Sequence, residues 1–241
     1  MKLLSQAKLL SLLLLTLSLS EGCNKNDEQF YDEIMFNSKL EYSSVIDIDG
    51  NTYRTIQIGT QVWMAENLRT TRYSDGLSIP LIQDSKQWEF LYSEGYCTYE
   101  KAYEVYGFLY NYYAAVSENN ICPAGWHLPD NSDWTALERY LGGEKIAGKK
   151  LKEVGPVHWG YFNTLSTNES GFTALPGGLR DRMGSIYSYG NSDGGAGYWW
   201  SATEQDSMTS WSYSLGGEII QLLKTPFTLK RDGYSIRCIK D

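Results

Sequence analysis

The residues of this 241-residue chain that could do chemistry are few: four cysteines, two histidines and scattered carboxylates. Asp47, Asp49 and Asn51 stand at the alternate positions that open a calcium loop, but the twelfth position, where a bidentate Glu belongs, holds Ile58. His127 has no second His or Cys near it, so it reads as a structural side chain and not as a zinc ligand. Neither histidine lies in a nucleophile–base pattern, and no Gly-x-Ser-x-Gly motif occurs. Glu66, Glu169 and Glu204 could serve as paired carboxylates for glycoside cleavage, but spacing along the chain does not give their separation in space. The expectation is a non-catalytic protein with no metal and no cofactor.

Cys23 carries a different chemistry. Lys2 and Lys8 precede an apolar run from Leu9 to Leu19, too short to span a bilayer as a mature helix. The run ends Leu19-Ser20-Glu21-Gly22-Cys23, which resembles a bacterial lipoprotein signal, in which the cysteine becomes the lipidated first residue. Glu21 and the position of the leucine depart from the commonest form of that signal. Residues 1–22 are expected to be removed and residues 23–44 to form a tether. The polar stretch Asn24-Lys25-Asn26-Asp27-Glu28 resembles the surface-export tether of lipoproteins from Bacteroidetes-like bacteria. Thioether and amide acyl chains together give stable anchoring, so the expected partner is the outer membrane, with the protein exposed at the cell surface.

An oxidising compartment follows, and three cysteines remain to share one disulfide. Cys122–Cys238 is the first expectation and Cys97–Cys122 the alternative; the sequence alone leaves both open. The longer closure would contribute about 4–5 kcal/mol by constraining the unfolded chain.

These groups need a frame. Residues 45–59 alternate apolar and polar around Asp49-Gly50, a tight-turn signal, and read as a hairpin followed by a third strand at 61–65. The aromatic block from Tyr103 to Val116 reads as a short strand passing into a helical turn near Asn111. After Pro129, Asp130 or Asn131 can cap a helix that puts Trp134, Leu137 and Leu141 on one face and stops at Gly142-Gly143. Lys145, Lys149, Lys150 and Lys152 read as a solvated segment. A loop-dominated stretch follows. Gly194-Gly195-Ala196-Gly197 then leads into strands at 198–204, 210–215 and 234–239. The fold class is α+β with a twisted antiparallel sheet.

Composition narrows the function. Removing Lys2, Lys8 and Glu21 leaves 19 basic and 28 acidic residues, a net −9, which argues against nucleic acid as a partner. The 19 Tyr, 8 Trp and 23 Gly suit short strands and tight turns rather than a helical bundle.

Several ordered motifs carry a family resemblance. They are Asp47-Ile48-Asp49-Gly50-Asn51, Trp63-Met64-Ala65-Glu66-Asn67-Leu68, Tyr106-Gly107 with Leu109-Tyr110-Asn111, and Cys122-Pro123 with Gly125-Trp126-His127. Residues 168–178 (NESGFTALPGG), Tyr198-Trp199-Trp200-Ser201 with Thr203-Glu204, and Ser235-Ile236-Arg237-Cys238 complete the set. Over residues 45–241 the chain closely resembles the Fibrobacter succinogenes major paralogous domain, a family of secreted or lipid-anchored bacterial proteins whose activity is not established. The family is similar to the C-type lectin-like fold shared with formylglycine-generating enzymes. That resemblance implies two helices flanking a twisted sheet, termini brought together, and a long loop region that carries ligands. In this sequence the loop region and the strand after it would supply Trp159, Asn168, Glu169, Arg180, Tyr198, Trp199, Trp200 and Glu204 to an extracellular glycan or protein ligand. Alternation along the strand would send one of Trp199 and Trp200 into the core and leave the other partly exposed. The calcium-lectin triplets are absent, as is the thiol pair that formylglycine chemistry needs if Cys122 and Cys238 are bonded. A structural role in envelope assembly is the alternative to ligand binding.

Overall fold

The structure, a computed structural model, describes residues 33–99, 102–190 and 195–241. The leader, Cys23 and the start of the tether lie outside the described residues, as does Gly194.

The expected hairpin is present. β1 (Ser43–Ile46) runs antiparallel to β2 (Thr52–Ile58), with Ile46 opposite Thr52. Gly50 turns the chain at φ +85°, and the Asp47 carboxylate accepts the backbone N–H groups of Asp49 and Asn51, which closes the turn on itself. β3 (Gln61–Met64) pairs with β2. Then come α1 (Ser85–Glu89), capped by the Asp84 side chain, β4 (Tyr96–Cys97) and α2 (Tyr103–Tyr106). The aromatic block continues as β5 (Leu109–Asn111) and α3 (Tyr112–Ala115), the strand-to-helix passage expected near Asn111; the Asn111 side chain caps that helical turn.

β6 (Trp126–His127) precedes α4 (Asn131–Tyr140). A capping box starts α4: Asp130 accepts from the backbone of Asp133, whose side chain accepts from the backbone of Asp130. Its apolar face buries Trp134 and Leu137, with Leu141 buried just beyond, and Gly142 and Gly143, at φ +98° and +96°, stop it. The lysine-rich segment, read as solvated, forms a helix, α5 (Glu144–Leu151), with Lys145, Lys149 and Lys150 at least partly exposed and Lys152 just beyond it buried. Its acidic first turn and its Lys149 and Lys150 in the last turn suit the helix dipole. Gly148 lets α5 approach closely, since a Cβ there would lie 2.5–2.6 Å from the carbonyl oxygens of Gln221 and Ile220. α6 (Pro156–Trp159) is one short turn.

The strands of the second half are β7 (Gly177–Arg180), β8 (Ile186–Tyr189), β9 (Ala196–Glu204), β10 (Thr209–Gly216), β11 (Leu223–Leu229), β12 (Gly233–Tyr234) and β13 (Ile239–Lys240). Two sheets result. One has the order β1-β2-β3-β13-β6, so β13 lies between β3 and β6 and extends the sheet that the N-terminal hairpin begins. The other runs β11-β10-β9-β7-β12-β5-β4, with β8 added on β7. The pairing is antiparallel except where β7 meets β9. The fold is thus a mixed one, mostly curled antiparallel sheet with few helices.

Cys122 and Cys238 are bonded across a sequence separation of 116, and Cys97 is free and buried. Two large cores lie on opposite faces of β9. Trp199 joins Trp63, Trp134, Trp159 and Phe172 under α4 and α5. Trp200 joins Tyr53, Tyr110, Tyr112 and Tyr234 with the disulfide. Both indoles are fully buried, which corrects the expectation that one would be partly exposed. Alternation did send them to opposite faces, but both faces of this strand are covered.

Candidate functional site

The motifs first build a buried polar knot. The Asn67 carboxamide oxygen accepts from Trp199 Nε1 at 2.9 Å and from Arg237 Nε at 2.8 Å, while its nitrogen donates to the Tyr106 carbonyl at 2.8 Å. The Arg237 guanidinium donates onward to the carbonyls of Phe172 and Thr173 and lies 4.2 Å from the Phe172 ring centroid. Burial pushes its pKa down. Asn168, at φ +45°, folds its side chain onto Thr173, accepting the backbone N–H and donating to the hydroxyl. Asn67 and Arg237 therefore tie the 168–173 loop to β9 and to the carbonyl of Tyr106.

This corrects most of the expected ligand set. Trp159, Asn168, Arg180, Trp199 and Trp200 are buried, and each has its polar atoms bonded inside the protein. Trp159 Nε1 donates to the Ala174 carbonyl, Trp200 Nε1 to the Tyr110 carbonyl, and Arg180 to the carbonyls of Ile82, Gln83 and Gly184. The reason is desolvation: a buried indole or guanidinium without partners would be costly, so the fold supplies them. Tyr198 is half-buried and packs 5.2 Å from the Tyr234 ring. Glu169 and Glu204 are exposed, but each is tied to a lysine, Lys150 at 2.7 Å and Lys230 at 2.6 Å. The Lys150 hydrogen bond holds the Glu169 carboxyl below its ordinary pKa. Glu66, the third carboxylate of the glycosidase reading, accepts the Arg54 backbone N–H and faces Arg69. The three carboxylates thus sit with three separate partners.

The calcium-like turn is likewise occupied by the protein. Asp47 accepts from Tyr53 Oη at 2.6 Å as well as from Asn51, and Asp49 accepts from Thr70, Thr71 and Arg72. His127 stands between Asp241 at 2.6 Å and Asp133 at 3.4 Å in a partly exposed polar cluster.

A wider concave surface lies elsewhere. Residues 33–44, read as tether, are laid down against the domain in an ordered path. Phe36, Leu40 and Tyr42 pack on the core beneath α4 and α5. Met35 N donates to Glu153 Oε1 at 2.6 Å, and Asn37 Nδ2 donates to the Asn168 carbonyl at 3.0 Å. Gly171 is the seat: a Cβ there would come within 2.8–3.0 Å of Leu40, Ile56 and Tyr42, and its φ is +73°. Nothing in the composition of 33–44 signals this docking. The only hint is the unpaired apolar set Phe36, Leu40 and Tyr42.

Between this strap and the body lies an open groove of about 690 Å³. Its charged lining is Arg54, Arg69, Glu33, Glu66 and Glu104. The Arg54 guanidinium sits 4.1 Å over the Phe36 ring and 6.0 Å from Tyr42. Arg69 sits 4.7 Å over Tyr53 and is 3.8 Å from Glu66. Both guanidiniums are thus held on ring faces, which fixes their direction. The arrangement offers fixed donors and acceptors on the body wall and ring edges on the strap wall. It suits a hydroxyl-rich or extended polar ligand better than a compact apolar one.

The sequence profile of the Fibrobacter succinogenes major domain matches residues 56–240, and the chain belongs to that family. No curated protein and no solved structure matches the chain.

Proposed function

We propose that this family member is a non-catalytic binding module of the bacterial cell surface, lipid-anchored to the outer membrane through Cys23, whose strap groove takes a glycan or an extended peptide. The observation that carries the reading is the groove itself, with Arg54 and Arg69 set on aromatic faces beside Glu66. Guanidinium donors and carboxylate acceptors on one wall are the groups that orient sugar hydroxyls or peptide amides. The finer fold reading is C-type lectin-like. It is supported by the pairing of β13 with β3 and by α4 and α5 packing on one side of the core. A non-catalytic role is supported by the fate of the candidate reactive groups. Cys122 and Cys238 are bonded to each other, and the carboxylates of the glycosidase reading each serve an ion pair or a backbone group. The net −9 of the mature sequence argues against nucleic acid.

An envelope-assembly role draws on exposed rings such as Phe90, Tyr92 and Phe227, since aromatic residues are enriched at protein interfaces. Glycan and peptide arrays probed with the mature chain and with an Arg54→Ala, Arg69→Ala variant separate the readings. Binding that the double substitution abolishes supports the groove. Binding that it leaves unchanged, or no binding with and without calcium, contradicts it.

A further inference from the structure

Residues 154–168 contain no Asp, Glu, Lys or Arg, in a chain where 21% of residues are charged. The loop they form is firmly built on its inner side. His158, Trp159, Asn163 and Ser166 are buried. Asn163 Nδ2 donates to the carbonyls of Glu153 and Gly155 at 2.8 and 2.9 Å, and Ser166 Oγ donates to Asn163 Oδ1. Gly155 and Gly160, at φ +92° and +76°, bracket α6 so that the chain can turn at both ends. The outer side is largely apolar: Tyr161 is 89% exposed, and Phe162 and Leu165 are more than half exposed, with Val154 and Val157 beside them and Thr164 and Thr167 the exposed polar residues between. A scaffold pinned from within that points rings and a leucine at solvent is the form of a docking surface.

The strap identifies what it docks on. Met35 is bonded to Glu153 and Asn37 to Asn168, the two stems of this loop. The chain therefore passes the base of the loop at Met35, and the described part ends two residues earlier at Glu33, beside Glu104 and Val105. Cys23 lies ten residues before Glu33, so even a fully extended connection reaches only about 33–36 Å. We propose that the 154–168 loop seats Tyr161, Phe162 and Leu165 in the lipid surface that holds Cys23, and so fixes the orientation of the domain on the membrane. This rests on the lipid-anchor reading of Cys23. Charge favours a lipid surface as the occupant. The net −9 of the mature chain repels anionic headgroups, and a stretch without Asp or Glu is where that repulsion is locally least. Tyr and Phe are the side chains that settle at the boundary between headgroups and acyl chains.

The test uses the full lipidated protein in its membrane. A polarity-sensitive fluorophore is placed on Thr164→Cys, beside the apolar tip, and on Ser207→Cys in the exposed turn between β9 and β10. The native free thiol, Cys97, is buried. Nitroxide-bearing lipid should quench and blue-shift the label at 164 and leave the label at 207 unchanged. Adding Tyr161→Ser, Phe162→Ser and Leu165→Ser should abolish the quenching at 164 while the protein stays in the membrane fraction. Without the anchor, vesicle binding should weaken roughly tenfold for each apolar side chain removed. An anchored protein whose label at 164 is as unquenched as that at 207 overturns the proposal and leaves the anchor intact; the tip would then face solvent or another protein. A chain absent from the membrane fraction overturns the anchor reading, and this inference with it.

Discussion

The indoles around β9 and the strap at residues 33–44 invert what their compositions suggest. Trp159, Trp199 and Trp200 are the residues a reader would give to a ligand, yet all three are fully buried with their N–H groups bonded inside the protein. The strap has no period and reads as a linker, yet it forms one wall of the groove. Aromatic density here marks where two cores meet on the two faces of one sheet. The surface with fixed charges is made where an ordinary segment lies on a glycine. The difference teaches that side-chain type predicts burial, while a site depends on which segments come together.

The sharpest way to break this comparison is to truncate the indoles. Trp199→Ala and Trp200→Ala should each cost about 3–5 kcal/mol, read as a shift in the denaturant midpoint. A stable Trp200→Ala protein that loses only ligand binding would return that ring to the ligand face.

Lys152 tests the same region through pH. Its ammonium is buried against the carbonyls of Gly216, Gly217 and Ile219, and burial lowers its pKa to about 8. Below pH 8 both states are protonated and the full cost is present. Between about 8 and the ordinary 10.5 the unfolded chain holds the extra proton, so this group makes stability rise with pH there, by at most about 3 kcal/mol. Lys152→Met should remove the rise relative to the parent; an identical pH profile would mean that the lysine is solvated, as its sequence context suggests.

Gly171→Ala addresses the strap. The new methyl meets Leu40, Ile56 and Tyr42, and φ +73° strains any Cβ, for an expected loss of about 1–3 kcal/mol. Hydrogen exchange should accelerate across 33–42 while β9 and β10 stay protected. Equal acceleration everywhere would mean that the strap and the core unfold as one unit.

The parts of this structure legible in the sequence are those set by local rules. Asp49-Gly50 placed the first hairpin, and Asp130 with Gly142-Gly143 bounded α4, because turns and caps depend on neighbours in the chain. The fate of the side chains was less legible because it depends on distant ones. The calcium reading of Asp49 already failed at Ile58, but its actual partners, Thr70, Thr71 and Arg72, come from more than twenty residues away and left no local signal. Alternation separated Trp199 from Trp200 but could not show that both faces were covered. Lys152 lies one residue past the end of α5, where it turns inward, unlike the lysines on the helix. The docking of 33–44 needed Gly171, which comes from a motif that reads as a plain loop.

The smallest expected effect on stability is the most informative about function. Arg54 is exposed, and Arg54→Ala should change stability by less than about 1 kcal/mol while ligand binding is lost. A large drop in stability would make the Arg54–Phe36 stack a structural clamp instead.

The most direct test of the central claim is a hydrogen-exchange footprint of the mature chain with a ligand taken from the arrays. The account predicts new protection at residues 33–42 and 52–69, the two walls of the groove, with 155–200 unchanged. Protection confined to 155–200, with the strap unaffected, would contradict it.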